Sequence, residues 1–291
     1  MTVRICWFIM VHQKPAQFEW LMSAIRNPED LFLIHVDLKS RLGLKRDRRG
    51  VMREVRRVCA GQPNVRLMRS RFTNWGGWSL SRMLLDAIGS ALRTDDRWTH
   101  FINMSGQCYP LKPLARIRQE IEDSAAAVRV EMRPFASLPA DDWHLRWHPM
   151  FETPLKALTL PGRRTPPSGF RLEHKGSQWV ILPRDFCEWL TRDPMTRRIR
   201  SYLRRLLLSD ELIMQTLADN SPFRDRLAPY RRHIVWPGPR VLDTTDLPAI
   251  VAGDAWIGRK FDLEHDAGVI ETLAQRNGFA PGPHPPAAGA G

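Results

Sequence analysis

The chain of 291 residues is long enough for one large domain or two small ones, and it contains 43% hydrophobic and 26% charged residues. This composition excludes a disordered, collagen-like or low-complexity protein. The 44 lysines and arginines outnumber the 31 aspartates and glutamates, which gives a formal net charge of +13. Such an excess predicts an anionic partner: a nucleic acid, a phosphorylated small molecule or an acidic membrane surface. A solvated basic surface without a specific partner would give the same count.

The first forty residues predict a strand, a helix and a second strand. Residues 5–11 and 31–36 are apolar runs, and residues 17–26 between them carry apolar side chains at helical spacing. A β-α-β unit predicts a parallel sheet and therefore an α/β fold. Asp37 follows the second strand directly. It is thus expected at the carboxyl edge of the sheet, where open α/β folds bind their ligands.

Periodicity and turn residues predict the remaining elements. Helices are predicted at 45–60, 79–92 (capped by Ser79), 114–124, 184–191, 196–208 and 210–217, and strands at 64–67, 98–104, 176–182 and 233–236. Residues 131–169 have no clear period and are interpreted as long loops, where function often resides. We predict one domain over residues 1–280, because no interior stretch resembles a linker. Residues 281–291 are rich in Pro, Gly and Ala and are predicted to be disordered.

Cysteine usage and hydropathy bear on the compartment. The four cysteines are scattered without a CxxC pair or metal-ligand spacing, which is typical of buried free thiols in a reducing cytoplasm. The first apolar run lacks a signal-peptide cleavage site, and no stretch approaches the roughly 18 apolar residues of a membrane-spanning helix. We therefore expect a cytoplasmic protein. It is expected to rest peripherally on an anionic membrane through the basic face of the helix at 45–60: Lys45, Arg46, Arg48, Arg49, Arg53, Arg56 and Arg57.

Six short motifs occur in order along nearly the whole chain. They are His-Val-Asp-x-Lys-Ser at 35–40, Trp-Gly-Gly-x-Ser at 75–79, Met-Ser-Gly-Gln-x-Tyr-Pro-Leu at 104–111, Ser-Gln-Trp at 177–179, Ser-Asp-Glu at 209–211 and Gly-Arg-Lys-Phe-Asp at 258–262. Together they resemble the core-2/I-branching β-1,6-N-acetylglucosaminyltransferase family, which includes peptide O-xylosyltransferases. The resemblance implies a GT-A type glycosyltransferase fold with a Rossmann-like, mostly parallel central sheet flanked by helices. It also implies a UDP-sugar donor carrying N-acetylglucosamine or xylose, inverting transfer to a hydroxyl of a glycan or glycoconjugate acceptor, and no metal.

The resemblance assigns the general base of this transfer to Glu211. A carboxylate suits the role, because it can take the proton of the acceptor hydroxyl as that oxygen attacks the sugar. Ser209 and Asp210 are predicted to cap the following helix, which would place Glu211 in its first turn. The positive end of the helix dipole would then keep the carboxylate ionised. Asp210 is interpreted as the cap or as an orienting group.

The leaving diphosphate needs positive charge, and the sequence suggests where it comes from. The chain contains no Asp-x-Asp triplet, so no metal or other cofactor is expected. The family uses one arginine and one lysine near the C-terminus instead. The lysine corresponds to Lys260, and the arginine matches Arg232, although adjacent Arg231 remains an alternative and Arg259 is a neighbouring candidate. Arginine presents a planar pair of donors to phosphate oxygens.

Further contacts to the donor follow from the same resemblance. His12 and Asp37 match the first two strand ends of the family, which contact the nucleoside, and Asp37 is a suitable acceptor for uracil N3–H or for the ribose. The turn Ser105, Gly106 and Gln107 follows a predicted core strand, where a GT-A sheet contacts the donor sugar.

Three tryptophans are further candidates for contact with a substrate. Trp75 and Trp78 flank a Gly-Gly turn that lets the backbone approach a ligand closely, but two such residues also serve as core plugs, and both interpretations remain open. Trp179 is a candidate platform for the acceptor sugar. Residues 143–148 are expected to border the acceptor cleft, although they match no acceptor residue of the family.

Two other functions compete with a transferase. One is a family member that binds a nucleotide sugar without turnover. The other is a basic nucleic-acid-binding protein, but the sequence has no helix-turn-helix spacing, zinc-finger pattern or RNA-recognition signature. A nucleic-acid partner is therefore not expected.

Overall fold

A computed structural model of the chain describes residues 2–44, 48–165, 167–236 and 238–282. Its strands are β1 (Ile5–Val11), β2 (Leu31–Val36), β3 (Val65–Leu67), β4 (His100–Ser105), β5 (Cys108–Pro110), β6 (Arg129–Val130), β7 (Arg133–Pro134), β8 (Met150–Glu152), β9 (Ala157–Thr159), β10 (His174–Lys175), β11 (Val180–Pro183), β12 (Arg232–Ile234) and β13 (Ile257–Arg259).

The helices alternate with these strands. They are α1 (Pro15–Ile25), α2 (Leu38–Arg41), α3 (Val51–Cys59), α4 (Trp78–Thr94), α5 (Leu114–Glu122), α6 (Trp143–Arg146), α7 (Arg184–Arg192), α8 (Pro194–Leu203), α9 (Ile213–Asp219), α10 (Leu247–Ala252) and α11 (Gly268–Asn277). Within the described ranges, no helix is long and apolar enough to cross a membrane.

The core is a six-stranded sheet in the order β3-β2-β1-β4-β11-β6. β3, β2, β1 and β4 run parallel, whereas β11 is antiparallel to both of its neighbours. The predicted α/β class with a mostly parallel central sheet is therefore confirmed. The two apolar runs at the N-terminus form strands with the predicted bounds, because a sheet covered on both faces favours continuous apolar segments.

Each face of the sheet packs on its own set of helices. Along β1, Trp7 and Ile9 point into one apolar cluster with α1, α3, α5 and α11, and Cys6 and Phe8 point into the other with α4, α7, α8 and α9. This alternation is the side-chain period of a strand. All four cysteines are buried and free, as predicted.

A three-stranded sheet in the order β12-β13-β5 was not predicted. The sequence interpretation assigned only the strand at 233–236, whereas β12 covers Arg232–Ile234 and pairs in parallel with β13. β13 pairs antiparallel with β5, a three-residue strand directly after the turn at 105–107. This second sheet brings the C-terminal part of the chain back to the end of β4.

The helices predicted at 196–208 and 210–217 correspond to α8, which ends at Leu203, and α9, which begins at Ile213. Two further predicted helices differ from the structure at their N-terminal ends. The helix predicted from Lys45 begins at Val51, and residues 45–47 lie outside the described residues. The exposed basic residues Arg53 and Arg57 are ion-paired with acidic neighbours, and Arg48 is largely buried. The membrane-facing cationic surface stays a prediction, with fewer unpaired cations than the sequence suggested.

The second difference concerns Ser79, which is not a helix cap. α4 begins at Trp78, and Gly77 is its N-cap without a side-chain bond. The Ser79 hydroxyl instead bonds Glu152, and its oxygen accepts the N–H of Asn74 at 2.9 Å. The first turn of α4 is thus fastened to a distant hairpin.

The region 131–169 is more regular than its sequence indicates. β8 and β9 form an antiparallel hairpin, with Phe151 opposite Leu158. α6 is a short helix whose N-cap is Asp142. Residues 283–291 of the tail predicted to be disordered lie outside the described residues.

Candidate active site

Three strand ends meet at one edge of the central sheet. β1 is in parallel register with β2 on one side and with β4 on the other. His12, Asp37 and Ser105 therefore lie side by side at the carboxyl edge, where the sequence predicted a ligand site. The Asp37 N–H donates to the carbonyl of Val11 at 3.0 Å.

The second sheet brings cations to this edge. Arg259 ends β13 and lies opposite Cys108. Just beyond it, the N–H of Phe261 donates to the carbonyl of Gln107 at 2.9 Å. Arg259 and Lys260 are thereby fixed beside the turn that follows β4. We call His12, Asp37, Ser105, Arg259 and Lys260 the strand-end site.

The pKa of His12 reflects the positive charge of the strand-end site. Burial lowers the pKa of His12 to about 4. The charges of Arg48 and Arg259 contribute to this lowering, Asp37 opposes it, and Lys260 contributes a smaller part. His12 is consequently neutral at pH 7, so its ring can donate or accept a hydrogen bond without adding charge.

Asp37 is buried, and the protein itself already binds its carboxylate. Oδ1 accepts the N–H of Lys39 at 2.9 Å. Oδ2 accepts the N–H of Thr73 at 2.9 Å and also the Thr73 hydroxyl. Arg48 lies 3.9 Å from Oδ1. The carboxylate thus fixes the loop before α4 to the end of β2, while its predicted contact with the nucleoside stays a prediction.

The structure separates the two adjacent arginines that sequence alone left open. Arg231 forms an ion pair with Asp254 and lies beside the ring of Trp256. Arg232 points the other way and donates to the carbonyls of Asn103 and Val180, at 2.9 and 3.1 Å.

Arg232 lies close enough to Arg259 for the two charges to interact. Burial lowers the pKa of Arg232, and the charge of Arg259 adds to the lowering. Of the two adjacent residues, only Arg232 is therefore placed near the strand-end site.

Arg259 covers the ring proposed as an acceptor platform. Its guanidinium lies 4.7 Å from the ring centre of Trp179 and donates to the hydroxyl of Ser105. Trp179 is only 5% exposed. An open stacking surface at Trp179 does not fit this burial, and the ring instead supports the arginine.

The turn at 105–107 is a structural junction. Ser105 and Gln107 are buried. Gln107 Nε2 donates to the carbonyl of Phe261 at 3.2 Å. A Cβ on Gly106 would lie 3.4 Å from Phe18, in close van der Waals contact. Contact of these three residues with a donor sugar stays a prediction.

A cleft of about 600 Å³ opens beside the turn at 209–211. We call it the Glu211 cleft; its polar and aromatic lining includes Trp75, Trp143, His144, Arg146, Lys175 and Glu211. Trp75 and Trp143 are 79% and 54% exposed, so both offer indole faces to a ligand. The expectation that residues 143–148 border a cleft agrees with this lining.

Trp75 and Trp78, which the sequence left open, have different roles. Trp75 lies at the mouth of the Glu211 cleft. Trp78 is partly buried against the apolar cluster under α4, as a core residue would be. Between them, Gly76 has a positive φ of 69°, and its carbonyl accepts the N–H of Leu208 at 2.9 Å. The tryptophan motif and the Ser-Asp-Glu motif are thus in direct contact.

Glu211 is held differently from the prediction. Ser209, Asp210 and Glu211 form a short 3-10 turn, and α9 begins only at Ile213 without a side-chain cap. The Ser209 hydroxyl lies 3.0 Å from that of Ser81. The predicted capping by Ser209 and Asp210 is therefore wrong, and Glu211 precedes the helix. Its carbonyl accepts the N–H of Gly176 at 2.9 Å.

Asp210 is a buried acid behind the base candidate. Burial raises the pKa of Asp210 to about 8, and the charges of Glu211 and Glu152 contribute to the increase. Its Oδ1 atom has no hydrogen-bond partner among the described residues. At neutral pH Asp210 is therefore mostly protonated, and Glu211 is the carboxylate that faces the cleft.

Sequence reasoning missed the residues that contact Glu211. Nε2 of His144 lies 3.0 Å from Oε2 of Glu211, and Nδ1 of the same ring lies 2.7 Å from Oδ1 of Asp142. Lys175 donates to the other oxygen of Asp142 at 3.1 Å. The only sequence signal was the aromatic and basic segment at 143–148, which gave no partner for any of its residues.

One cluster of described residues has the spacing of metal ligands, but it lies outside both sites. Ligand atoms of Glu173, His174 and Asp219 lie within 4.8 Å of one another. Asp219 is already paired with Arg224 at 3.1 Å and with His174 at 3.1 Å. These contacts are those of an ordinary ion-pair network.

Two curated proteins show what the chain is similar to in sequence. Xylosyltransferase 2 of Rattus norvegicus is 29% identical over 76% of this chain and 25% of its own length. The beta-1,3-galactosyl-O-glycosyl-glycoprotein beta-1,6-N-acetylglucosaminyltransferase 3 of Homo sapiens is 22% identical over 90% of this chain and 56% of its own length. The chain thus spans about a quarter to a half of the curated relatives it matches.

A solved structure and a family model complete the comparison. The apo structure of mouse xyloside xylosyltransferase 1 matches with a TM-score of 0.41 and 13% identity, over 87% of this chain and 97% of that chain. The model of the family described as Core-2/I-Branching enzyme matches residues 5–243. Because that match covers most of the chain, the protein belongs to the Core-2/I-Branching enzyme family.

Proposed function

We propose that the protein is a GT-A type, metal-independent, inverting glycosyltransferase. It moves N-acetylglucosamine or xylose from a UDP-sugar to a hydroxyl of a glycan or glycoconjugate. One observation carries the proposal. The Glu211 carboxylate faces a cleft of about 600 Å³, and this cleft lies beside the sheet edge where Arg259 and Lys260 are placed. Both halves of a transfer reaction, a base and a site for the leaving diphosphate, are thereby supplied by one region of the fold.

The connection between the two halves is short. Arg259 packs on Trp179. Two residues before Trp179, the backbone reaches Ser177, and the preceding Gly176 bonds the carbonyl of Glu211. These contacts link the strand-end site to the Glu211 cleft through adjoining residues.

Glu211 is assigned as the general base. In an inverting transfer, the acceptor oxygen attacks the anomeric carbon while the bond to UDP breaks, and the hydroxyl proton passes to one carboxylate. Glu211 lines the cleft, whereas neighbouring Asp210 is buried and mostly protonated at neutral pH. Of this pair, only Glu211 lines the cleft and is accessible to an acceptor.

Lys260, Arg259 and Arg232 are assigned to the diphosphate. Among the described residues, no carboxylate lies within 4.0 Å of the charged groups of these three side chains. Their charge is consequently available to the phosphate oxygens of UDP. Arg231 is excluded from this role because Asp254 already neutralises it.

The other candidate residues are assigned to the nucleoside and to the acceptor. Neutral His12 and the Asp37 carboxylate lie at the strand ends where a uridine would sit. On the other side, Trp75 and Trp143 present exposed indole faces, on which the apolar face of a sugar ring can stack.

A donor screen in excess EDTA tests the proposal. Purified protein is incubated with UDP-N-acetylglucosamine, UDP-xylose and UDP-glucose, and release of UDP is measured with and without EDTA. We expect slow hydrolysis of at least one of the first two donors, unchanged by EDTA. Complete loss of hydrolysis in EDTA would contradict metal independence. Thermal stabilisation by UDP without any turnover would indicate a family member that binds a nucleotide sugar but is inactive.

A further inference from the structure

A groove rich in arginine runs along α4. Two cavities of about 560 and 380 Å³ adjoin each other there, because Arg69 and Arg71 line both of them. We call the two cavities together the arginine groove. Its charged lining consists of Arg69, Arg71, Arg82, Arg93, Arg200, Asp86 and Glu152. Five positive charges and two negative ones thus meet in a place that belongs neither to the strand-end site nor to the Glu211 cleft.

The protein neutralises little of this positive charge. Among the described residues, no carboxylate forms an ion pair with Arg69, Arg93 or Arg200. Arg71 and Arg82 share the single carboxylate of Asp86, at 3.5 and 3.6 Å. These distances exceed the roughly 2.7–2.9 Å of a charge-assisted hydrogen bond. Even these two guanidinium groups therefore keep donors that a ligand can use.

A buried hydroxyl lines the same groove. Ser70 is 6% exposed and lines the smaller cavity, between Arg69 and Arg71 in sequence. Its Oγ atom has no hydrogen-bond partner among the described residues. A buried polar group without a partner costs free energy, so most such groups in proteins are bonded. An unpartnered hydroxyl that lines a cavity suits a ligand that brings its own oxygen atoms.

The groove has the length of a short oligosaccharide. Trp78 in the first turn of α4 lines one end, and Arg93 in the last turn lines the other. At a rise of about 1.5 Å per residue, the distance between them along the helix is about 22 Å. Arg82, Asp86 and Arg93 follow the helical repeat and lie on one face of α4. A ligand that contacts both ends of the groove must therefore be extended.

The groove adjoins both sites of the proposed reaction. The carbonyl of Arg71 accepts the N–H of Leu38 at 2.9 Å, and Leu38 directly follows Asp37 of the strand-end site. Glu152, at the α4 N-terminal end of the groove, belongs to the hairpin of β8 and β9, which also lines the Glu211 cleft. A ligand in the groove is consequently separated from each site by a single layer of chain.

We propose that the arginine groove binds an acidic glycan, which carries carboxylate or sulfate groups. Guanidinium groups offer paired donors to either group, and the two cavities leave room for sugar rings between the charges. The inference deepens the proposed function and rests on it in one respect, because it takes the bound glycan to be the acceptor. The arginine excess of the sequence then has a second use besides the diphosphate.

Other anionic partners fit the groove less well. Duplex DNA carries about one charge per 1.7 Å, or about 13 charges over 22 Å, which is more than twice the number of arginines. Single strands stack on exposed aromatic rings, whereas Phe72 and Trp78 of the groove are both partly buried. Membrane-bound surfaces present protruding apolar side chains. Of the described groove residues, only Leu67 is an exposed large hydrophobic residue.

Binding of matched oligosaccharides to the full chain tests the inference. A galacturonic acid hexamer and its carboxyl-reduced counterpart contain the same kind of ring with and without charge, and a heparin hexasaccharide adds sulfate. Calorimetry should detect binding of at least one acidic hexamer. The neutral hexamer should bind at least about 10-fold more weakly, because it lacks the charge-assisted hydrogen bonds. The acidic hexamer that binds more tightly identifies the charged group that the groove recognises.

The double variant Arg69→Ser, Arg93→Ser locates the binding. Both side chains are exposed, so the fold should be retained. Loss of their contacts should weaken binding of the acidic hexamer about 10- to 100-fold. The variant Arg69→Lys, Arg93→Lys keeps the charge without the planar pair of donors and should recover part of the affinity.

The matched control removes the same charge from the other face of the sheet. Arg116 on α5 and Arg276 on α11 are exposed, and both helices pack on the apolar cluster opposite to that under α4. Arg116→Ser, Arg276→Ser should therefore bind the acidic hexamer within about twofold of the wild type.

The outcomes that overturn the inference are distinct from failure of the proposed function. No binding of either acidic hexamer overturns it, and so does equal affinity for the neutral hexamer or an equal loss of affinity in the control variant. Tighter binding of a short DNA duplex or of phosphatidylglycerol vesicles, lost in Arg69→Ser, Arg93→Ser, assigns the groove to that partner and overturns it as well. Hydrolysis of UDP-sugars is measured separately. If the groove binds the acidic hexamer but the wild type hydrolyses no UDP-sugar, the glycan site is supported and the proposed function fails.

Discussion

The strand-end site and the Glu211 cleft are built by different means. At the strand-end site, parallel register places His12, Asp37 and Ser105 side by side, and β13 adds its cations through backbone pairing. In the Glu211 cleft, short helices and loops are joined by side-chain ion pairs such as that of Lys175 with Asp142. The first region is aligned mainly by strand pairing, and in the second region ion pairs between side chains add to the backbone hydrogen bonds.

This difference teaches where each region is sensitive. Backbone register does not titrate, so the geometry of the strand-end site should persist over a broad pH range while His12 changes charge only in acid. The groups beside Glu211 are joined by ion pairs between side chains, such as that of Lys175 with Asp142. Substitutions at the strand-end site should therefore affect mainly the binding of UDP. Substitutions in the Glu211 cleft should affect mainly the rate of transfer.

Glu211→Gln is the strongest test of this separation. We expect loss of transfer by about 10³-fold, within the range for removal of a general base. UDP should still raise the melting temperature as it does for the wild type, because no diphosphate contact is removed. Glu173→Gln, at an exposed glutamate, is the control and should behave as the wild type. Weaker UDP binding in Glu211→Gln would show that the two regions are not separable.

Lys260→Ala probes the strand-end site. Loss of a charged contact to phosphate should weaken UDP binding about 10- to 100-fold, measured by calorimetry. Arg231→Ala is matched to it in charge and lies close along the second sheet, yet Arg231 is paired with Asp254. It should leave UDP affinity within about twofold. A larger effect at Arg231 than at Lys260 would reverse the assignment.

Asp210→Asn tests the buried acid below the cleft. The folded-state pKa of Asp210 is raised to about 8, so its stabilising contribution is fully present below its unfolded pKa of about 4 and is lost as pH rises towards 8. Asparagine does not titrate. Chemical denaturation at pH 4 and at pH 8 gives the fall in the free energy of unfolding between them. This fall should be about 2–4 kcal/mol smaller in the variant than in the wild type. Asp141→Asn, at the exposed rim, should retain the wild-type pH dependence.

His12 should contribute a pH dependence of stability that is opposite in sign to that of Asp210 and smaller. Its folded-state pKa is lowered to about 4, so its stabilising contribution is present above the unfolded pKa of about 6.5 and is lost as pH falls towards 4. In His12→Gln, the loss of stability between pH 6.5 and 4 should be about 1–2 kcal/mol smaller than in the wild type. His265→Gln, a histidine outside both sites, serves as control. An unchanged acid dependence in His12→Gln would contradict the burial of His12 among cations.

Trp75→Ala should have the smallest effect. Removal of a stacking face should raise the KM for the acceptor about 2- to 10-fold, without change in UDP affinity. Trp236 is also exposed, at 54%, and does not line the cleft. Trp236→Ala should therefore leave both constants unchanged. Initial-rate kinetics with an acceptor found in a glycan screen would provide the measurement.

The strand-end site was the more predictable of the two regions. Residues 5–11 and 31–36 are continuous apolar runs, which only a covered parallel sheet accommodates, and their ends fix His12 and Asp37. The second sheet was missed because β5 and β13 are three residues each, too short for any periodicity. The choice between Arg231 and Arg232 therefore needed the structure.

The Glu211 cleft was far less predictable. The hairpin β8 and β9 has no clean alternation, and its register depends on contacts to other elements. His144, Lys175 and Glu211 lie far apart in sequence, so no local pattern reveals that they meet. Ser79 has the residue type of a helix cap, but Glu152 competes for its hydroxyl, and the tertiary contact prevails.

The contacts of Glu152 fix the width available to an acceptor. Asn74 donates to Glu152 at 3.0 Å and to the carbonyl of Thr153 at 2.9 Å, and Glu152 occupies the space where any side chain at Gly77 would lie. The hairpin wall therefore cannot move outwards without breaking buried bonds. Under the proposed function, a branched or bulky acceptor would have to be accommodated at the opposite wall, which the four-residue helix α6 helps to form. Selection by acceptor size would then depend on α6 and the loop before it.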